Sequence, residues 1–503
     1  MSIARALARF ADGRAATFSA FVLGALAVAG FAPVGISLLA PLSLAALFAV
    51  LAVTRRPRRA ALLGFLWGLG HFGAGVSWVY VSLHLYGQMP APAAALATFA
   101  FCAYLALFPA LAASLASRID APAPLRTAML LPALWVTGEW MRSWLLTGFP
   151  WLAIGYSQAD TPLAGFAPLA GLHGVSLATA LAAGLLAAMA PASRTSRWTL
   201  AAALAALFAG GAVLRGIAWT APSGEPLSVA LVQGNVPQNL KFDPGRYKET
   251  LATYARLVES SRARLIVLPE TAIPRLLDGI DPRYLDRLAE HAYAQQGDLL
   301  LGAPFRDRAG NYYNGVVNLG ATPTRFYAKR HLVPLGEFVP PEFAWIVSMM
   351  QIPFSDFSRG DDTQAPMRAA GVRVALTVCY EDAFGEELIA QLPEATVLAN
   401  LSNVAWFGDS LAPDQHLQIS RMRSMETGRP MLRATNTGAT AVIDERGRVL
   451  ARLPPFSEGV LQANVQPFSG ATPYVRFGNA PALGTAALMA LAAVLIALIQ
   501  ARR

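Results

Sequence analysis

Cysteine, lysine and charge are all scarce in this chain of 503 residues. Two cysteines cannot build a disulfide scaffold, and a charged content of 14% is well below the roughly 25% of soluble domains. Hydrophobic residues make up 55% of the chain, which excludes a disordered protein. Only three of the 40 basic residues are lysines. An ordinary soluble enzyme is therefore not expected.

The net charge of +9 divides unevenly along the chain. Residues 1–220 and 479–503 together carry 15 arginines and four acidic residues, whereas residues 221–478 are close to neutral, at −2. The positive charge therefore flanks apolar segments and does not form a groove for phosphates. No nucleic-acid partner is expected.

Apolar runs long enough to span a bilayer, about 20 residues in a helix, crowd the first 220 residues. We predict seven spans there and an eighth near the C-terminus, at 16–32, 35–53, 60–82, 92–117, 127–146, 163–190, 198–219 and 480–499. Arginines occupy every second loop, which places both termini in the cytoplasm. The sequence Ala27-Val28-Ala29 could be a signal-peptidase site, but cleavage would leave another span directly behind it, so we interpret span one as an uncleaved anchor.

The chain thus divides into a membrane domain (1–220), an outer domain (221–478) and an eighth span with a basic tail (479–503). The outer domain lies in the periplasm if the cell has two membranes. Its pattern is alternating α/β. Short apolar runs predict buried strands at 227–233, 265–268, 299–303, 372–378 and 396–401. Helical patterns separate them at 246–262, 282–295, 383–391 and 413–427.

Cys379 directly follows the apolar run 372–378 and precedes a predicted helix. The other cysteine, Cys102, falls in predicted span four, so Cys379 has no disulfide partner. At a strand end that enters a helix N-terminus, backbone N–H groups and the helix dipole favour the thiolate. Cys379 is therefore either a small buried hydrophobic residue or a nucleophile, and its position alone does not decide between the two.

A nucleophile needs a base and a group that stabilises negative charge. Glu270 comes at the end of a strand pattern, and Lys329 lies next to aromatic residues in a chain that otherwise uses arginine. Taken singly, each also fits an ordinary solvated residue. Histidine is the alternative base, and no local pattern ties any of the three in the outer domain to Cys379: His291, His331 and His416.

Together, the segments around Glu270, Lys329 and Cys379 resemble the Glu-Lys-Cys triad of the nitrilase superfamily. With eight apolar spans beside them, the chain resembles the apolipoprotein N-acyltransferases, bacterial enzymes that add the third acyl chain to lipoproteins. Further segments carry this resemblance in the same order: Gly75–Tyr80, Glu139-Trp140, Gly148–Trp151, Val232–Asn235, Gly336–Pro340, Arg433–Gly438 and Thr472–Arg476. The resemblance implies a polytopic helical membrane domain joined to an αββα sandwich of the nitrilase type.

The resemblance also implies a two-step acyl transfer. Cys379 takes the sn-1 acyl chain of a phospholipid, phosphatidylethanolamine in the expected case, as a thioester. The α-amine of a diacylglyceryl-cysteine apolipoprotein then receives it. Glu270 is the implied general base, and Lys329 stabilises the oxyanion with the backbone N–H of Tyr380. The other partner is the lipid bilayer; no cofactor or metal is implied, and a monomer is expected.

Supporting and lipid-binding residues are implied as well. Glu337 holds Lys329 or steers protons, with a plain salt bridge as the alternative, and Tyr380 and Glu381 shape the pocket. Phe242 stands where the family is expected to have tryptophan, which puts a polar role there in doubt. The apolar stretch 345–354 predicts either a lid that dips into the membrane or a buried core helix, and its lipid-binding candidates are Trp345, Met349, Met350 and Phe354.

Two other functions fit parts of the pattern. A membrane-anchored amidase or nitrilase that hydrolyses a small C–N bond would use the same triad, but gives no reason for eight spans. A transporter or sensor with an outer ligand-binding domain predicts several charges within the spans, whereas the predicted spans carry few charges, chiefly Glu139 and Arg142. The expected location is the inner membrane of a bacterium, with the catalytic domain in the periplasm.

Overall fold

The computed structural model describes residues 3–339 and 356–501. Within them the chain forms two compact units. One comprises residues 3–80, 92–217 and 476–501, and the other comprises residues 81–91, 218–339 and 356–475. The segment Val81–Ala91, which the sequence assigned to the membrane domain, thus groups with the α/β unit. There the Ser82 hydroxyl donates a hydrogen bond to the carbonyl of Trp406 at 2.7 Å.

The membrane unit is almost entirely helical. Its α-helices and those that border it are Ile3–Asp12, Arg14–Ala27, Leu39–Val53, Pro57–Gly75, Val79–Val81, Ala91–Arg118, Ala123–Leu125, Leu131–Arg142, Ala167–Met189, Arg194–Gly216 and Ala480–Ala501. Most of these helices are apolar all round, which is typical of helices that face lipid or one another.

The described helices support four to six spans, and the prediction of eight is not supported by them. Four are long and apolar enough to cross a bilayer: Ala91–Arg118, Pro162–Met189, Arg194–Gly216 and Ala480–Ala501. Two more spans result if each of two bent helix pairs counts as one, with bends of 85° at Asp12 and 56° after Gly75. The helix Leu39–Val53, with 15 residues, is shorter than a bilayer requires.

The predicted fifth span is interrupted by its own polar residues. Regular α-helix covers only Leu131–Arg142. Glu139 accepts a hydrogen bond from the backbone N–H of Ile154 at 2.8 Å, and Arg142 donates one to the carbonyl of Trp151 at 2.8 Å. These two buried side chains therefore satisfy the non-helical backbone that follows the helix.

Two six-stranded sheets form the centre of the α/β unit. In chain order the strands are β1 (Ala221–Pro222), β2 (Leu227–Gln233), β3 (Leu265–Val267), β4 (Asp298–Arg306), β5 (Tyr312–Gly320), β6 (Phe326–Ala328), β7 (Met367–Ala369), β8 (Val372–Val378), β9 (Val397–Ser402), β10 (Met431–Thr435), β11 (Ala441–Ile443), β12 (Val449–Arg452), β13 (Gly459–Val465) and β14 (Phe468–Ser469). The first sheet has the order β13-β2-β3-β4-β5-β6, and the second β12-β11-β10-β9-β8-β7. A separate antiparallel pair joins β1 to β14.

The sheets are the two inner layers of an αββα sandwich. Apolar residues of both sheets form one buried core between them, with Val229 and Leu231 from one side and Val374 and Leu376 from the other. The helices Tyr247–Glu259 and Pro282–Ala294 cover the outer face of the first sheet. The helix Ala412–Thr427 covers the second. Strands buried on both faces explain the continuous apolar runs in the sequence.

The five strands that the sequence predicts agree closely with the structure, and one predicted helix does not. Strands β2 and β8 have the predicted bounds, and β3, β4 and β9 differ by one to three residues at their ends. The predicted helix 383–391 is instead a 3-10 turn at Cys379–Ala383, a short helix at Gly385–Leu388 and another 3-10 turn at Ile389–Gln391. Because β2, β3 and β4 are parallel, as are β8, β9 and β10, their carboxyl ends gather side chains at common edges.

Candidate active site

Cys379 occupies a sharp turn at the end of β8. It is the first residue of the 3-10 turn Cys379–Ala383, and its φ of +54° lies in the left-handed region that non-glycine residues rarely adopt. The side-chain amide of Asn400 donates a hydrogen bond to the Cys379 carbonyl at 2.9 Å. A conformation of this kind persists where the surroundings hold it, and such turns concentrate at functional sites.

The Cys379 thiol is protonated in the resting site. Burial raises its pKa to about 12, the negative charge of Glu270 adds to that shift, and the positive charge of Lys329 opposes it. A thiol with this pKa is a poor nucleophile near neutral pH, because the thiolate is the reactive form. Attack by Cys379 therefore requires a base that takes its proton during the reaction.

Glu270, beyond the end of β3, has both carboxylate oxygens held by donors. Its Oε1 accepts a hydrogen bond from the side-chain amide of Asn314 at 2.8 Å, and its Oε2 accepts one from the backbone N–H of Asn403 at 2.9 Å. The Lys329 Nζ lies 3.6 Å from Oε1. The carboxylate is 7% exposed. Glu270 is therefore an oriented, nearly buried base candidate.

Lys329 follows β6 and is 1% exposed. Its ammonium contacts both oxygens of Glu337, at 2.9 Å and 2.8 Å. Burial alone would lower the Lys329 pKa, but Glu337 and then Glu270 outweigh it and raise the pKa above the ordinary value. Glu337 is itself fixed, since its Oε2 accepts a hydrogen bond from the Val333 N–H at 2.9 Å. Lys329 is therefore cationic at physiological pH.

Asn314, on β5, joins the two carboxylates and was missed in the sequence analysis. Its side-chain amide donates one hydrogen bond to Glu270 Oε1 at 2.8 Å and another to Glu337 Oε1 at 2.7 Å. The sequence analysis predicted no strand at Tyr312–Gly320, so it offered no signal for Asn314. Asn314 sets the spacing between the base candidate and the carboxylate that holds Lys329.

Glu381, a predicted supporting residue, ties the Lys329 segment to the Cys379 turn. Four donors surround its carboxylate: the backbone N–H groups of Val378 at 2.6 Å, Arg330 at 2.6 Å and His331 at 3.1 Å, and the Tyr327 hydroxyl at 3.1 Å. Burial raises the Glu381 pKa to about 7, while Lys329 and the backbone donors oppose the shift. With every oxygen engaged in bonds to protein, Glu381 serves to position the neighbouring segments.

Of the other predicted residues, Tyr380 and Phe242 are described by the structure and the four of the predicted lid are not. The Tyr380 ring packs against Phe384, with ring centres 5.0 Å apart, and Phe242 is half-buried on the turn that follows β2. The predicted lid 345–354, with Trp345, Met349, Met350 and Phe354, lies outside the described residues. Its roles stay predictions.

A second buried polar network supports the Cys379 turn and was also missed. One guanidinium nitrogen of Arg433 donates to Asp382 at 3.2 Å, to Asn400 at 2.7 Å and to Ser420 at 2.8 Å. His416 contacts the other oxygen of Asp382 at 2.6 Å. Burial and the charge of Arg433 lower the His416 pKa, despite Asp382. Through Asn400 this network reaches the Cys379 carbonyl.

The other two histidines of the outer domain, His331 and His291, also contact groups away from Cys379. His331 contacts Glu387 at 2.9 Å, and His291 contacts the carbonyl of Ser261 at 2.8 Å. In the described parts of the chain, no group of three or more His, Cys, Asp or Glu side chains is arranged to hold a metal ion. The arrangement favours a carboxylate over a histidine as the base for Cys379.

Two family models match this chain. The apolipoprotein N-acyltransferase N-terminal domain matches residues 23–185, and the carbon-nitrogen hydrolase domain matches residues 228–474. The apolipoprotein N-acyltransferase of Nitrosomonas europaea is 49% identical over 95% of this chain and 97% of its own length. That of Ralstonia nicotianae is 48% identical over 94% and 92%, respectively. Among solved structures, the C. elegans NitFhit protein aligns with 16% identity and a TM-score of 0.39, over 50% of this chain and 63% of its own.

Proposed function

Because this chain belongs to the apolipoprotein N-acyltransferase family and is an acyltransferase of lipoprotein biosynthesis, we propose a role for each of its site residues in the transfer of the acyl chain. Cys379 is the acyl carrier, Glu270 the general base and Lys329 the oxyanion-stabilising cation. The donor is a membrane phospholipid, phosphatidylethanolamine in the expected case. The acceptor is the N-terminal amine of a diacylglyceryl-cysteine apolipoprotein.

In the first half-reaction, Glu270 takes the Cys379 proton as the sulfur attacks the sn-1 ester carbonyl. The tetrahedral oxyanion is stabilised by Lys329 and the backbone N–H of Tyr380, donors of a kind whose individual loss costs about 2.7–4 kcal/mol. Collapse breaks the ester C–O bond, and the leaving alkoxide takes the proton from Glu270. The products are a Cys379 thioester and a lysophospholipid.

In the second half-reaction, the uncharged acceptor amine attacks the thioester carbonyl. The new C–N bond forms as the amine gives a proton to Glu270, and the C–S bond then breaks. The departing thiolate recovers that proton, so the enzyme returns to its starting state. A thioester suits this step because it stays reactive toward amines.

The observation that carries this proposal is the arrangement of Glu270 beside Lys329. Their side chains lie 3.6 Å apart in a site from which water is nearly excluded, and both act electrostatically on Cys379. A base and a fixed cation near one protonated thiol are what acyl transfer to sulfur requires. The half-buried Phe242 is proposed to contact the lipid substrate.

A phospholipid with distinguishable sn-1 and sn-2 chains tests the proposal, with a synthetic diacylglyceryl-cysteine peptide as acceptor. We expect the sn-1 chain to appear as an amide on the peptide and lysophospholipid to be released in equal amount. Cys379→Ala should abolish both. Hydrolysis of a small amide without transfer from phospholipid would instead support an anchored amidase.

We also propose that the membrane is the bacterial inner membrane, with both termini cytoplasmic and the α/β unit periplasmic. The arginine distribution along the chain supports this orientation. Labelling of single cysteines introduced in the arginine-rich loops, with a membrane-impermeant reagent on intact spheroplasts, tests it. Labelling of those loops without cell lysis would contradict the orientation.

A further inference from the structure

Lys241 is a second buried lysine at the proposed site. It lies on the turn after β2, directly before Phe242, and is 3% exposed. Its ammonium donates a hydrogen bond to the backbone carbonyl of Glu270 at 3.3 Å. The same turn is tied to Glu270 by a second route, because Gln238 accepts a hydrogen bond from the Asn403 side chain at 2.8 Å. The position of Lys241 is thus defined relative to the base.

The charge of Lys241 is compensated differently from that of Lys329. Lys329 contacts both oxygens of Glu337 and lies close to Glu270. Among the described residues, no carboxylate oxygen lies within 4.0 Å of the Lys241 ammonium. Its one side-chain hydrogen bond there goes to a neutral backbone carbonyl. A buried ammonium without a carboxylate partner is costly, and groups of this kind concentrate at functional sites.

The charge balance around Cys379 indicates what this ammonium does. Among the described residues, Glu270, Glu337 and Lys329 together carry a net charge of −1 when all three are ionised, which opposes further negative charge on the sulfur. Arg433 also acts on Cys379, but it pairs with Asp382 at 3.2 Å, so these two add one charge of each sign. Lys241 brings that balance to zero. Electrostatic interactions join Lys241 to both Glu270 and Cys379.

We propose that Lys241 is a second cationic group of the active site, whose ammonium stabilises the negative charge that forms on the Cys379 sulfur during attack and departure. This inference rests on the proposed role of Cys379 as acyl carrier. The two buried lysines thus have different roles in this proposal. Lys329, held by carboxylates, stabilises the oxyanion, and Lys241 offsets the excess negative charge of the site.

The proposal predicts a loss of rate at alkaline pH. Among the residues that the structure describes, the titratable groups that act on Lys241 are Glu270, beyond β3, and Cys379, after β8. Burial lowers the Lys241 pKa to about 8, against the opposing effect of these two groups. Lys241 is cationic below that pH and becomes neutral above it. Stabilisation of the sulfur charge should therefore be present below about pH 8 and be lost as the pH rises further.

Alkylation of Cys379 by iodoacetamide measures the thiolate without any lipid. The full-length protein is used in detergent, in a Cys102→Ala background, and the rate is followed by intact mass between pH 7 and pH 9. We expect Lys241→Met to slow alkylation about tenfold at pH 7, which corresponds to one unit of thiol pKa, and the difference to narrow above about pH 8, where Lys241 of the parent is neutral. Lys248→Met is the matched control, because Lys248 is exposed on the following helix, and it should react within twofold of the parent.

The pH dependence of Cys379 acylation by phospholipid is the second readout. We expect the parent rate to fall above about pH 8 and Lys241→Arg to keep its rate to higher pH, since arginine stays charged. Alkylation of folded Lys241→Met at the parental rate would overturn the proposal. If Lys241→Met does not fold, Lys241→Arg decides the question. The proposal would be overturned if the acylation rate of Lys241→Arg fell at the same alkaline pH as that of the parent. Failure of the parent to form any acyl-Cys379 would instead refute the proposed function, while the alkylation comparison would still stand.

Discussion

Replacement of Asn314 should slow the chemistry because this one amide sets the relation between Glu270 and Glu337. Its two hydrogen bonds go to the buried carboxylate of Glu270 at 2.8 Å and to the partly buried carboxylate of Glu337 at 2.7 Å, and each bond to a charged group contributes about 1.5–3 kcal/mol. If about half of that total is expressed in the transition state, Asn314→Leu should slow acylation of Cys379 by about 10- to 150-fold. The assay is single-turnover acylation by phospholipid, followed by intact mass.

Asn314→Asp is a sharper perturbation of the same position because it changes the charge but hardly the shape. It places a third carboxylate against Glu270 and Glu337, and two like charges 4 Å apart repel by about 4 kcal/mol at an effective dielectric of 20. This repulsion raises the pKa of the introduced carboxyl, which is therefore charged at high pH and uncharged at lower pH. We expect Asn314→Asp to be slower than Asn314→Leu at pH 8, with a narrower gap at pH 6.

Asn318 offers a matched control on the same strand. It is fully buried, four residues further along β5, and its side chain bonds to the backbone of the turn between β5 and β6, including the carbonyl of Pro323 at 3.3 Å. Asn318→Leu should lower the free energy of unfolding, yet its folded fraction should acylate Cys379 within about threefold of the parent. Acylation by Asn314→Leu at the parental rate would refute the reasoning.

Three further replacements probe the surroundings of the same site. Glu381→Gln turns one acceptor oxygen into a donor that faces two other donors, so thermal unfolding in detergent should show a loss of about 1–3 kcal/mol; an unchanged melting temperature would contradict this. Arg433→Met leaves Asp382 with less compensation and should cost about 3–5 kcal/mol by the same measurement; a stabilised protein would show that the network is dispensable. Lys329→Met removes the cation beside Glu337 and Glu270 and should slow acylation of Cys379 at least about 100-fold, as followed by intact mass; acylation within about tenfold of the parental rate would rule out Lys329 as the main oxyanion donor.

The parts of the fold that depend on local patterns were predictable from the sequence. Strands β2 and β8 are buried on both faces, so their apolar runs begin and end where the strands do. Glu270 and Cys379 could be placed at strand ends for the same reason. The segment 383–391 was predicted as one helix, but the chain turns sharply at Cys379, just before it, where the Glu381 carboxylate accepts a hydrogen bond from the Val378 N–H.

The partners of Asn314 and Arg433 could not be found in this way. Asn314 meets Glu270 only because β3, β4 and β5 lie side by side, and Arg433 meets Asn400 only because β10 pairs with β9 in the observed register. These contacts depend on the order and register of strands in the sheet, which cannot be read from the local pattern of residues. Hydropathy likewise measures the length of an apolar run and not its direction, so the bends of 85° and 56° were missed and the spans were counted as eight.

The central claim is that one sulfur atom carries the acyl chain between the two substrates. Intact-mass analysis of the purified protein after exposure to phospholipid, without acceptor, tests it most directly. The account predicts one acyl adduct on Cys379 that hydroxylamine removes and that is absent in Glu270→Ala. An adduct on another residue, or acyl transfer to the acceptor peptide that persists in Cys379→Ala, would contradict it.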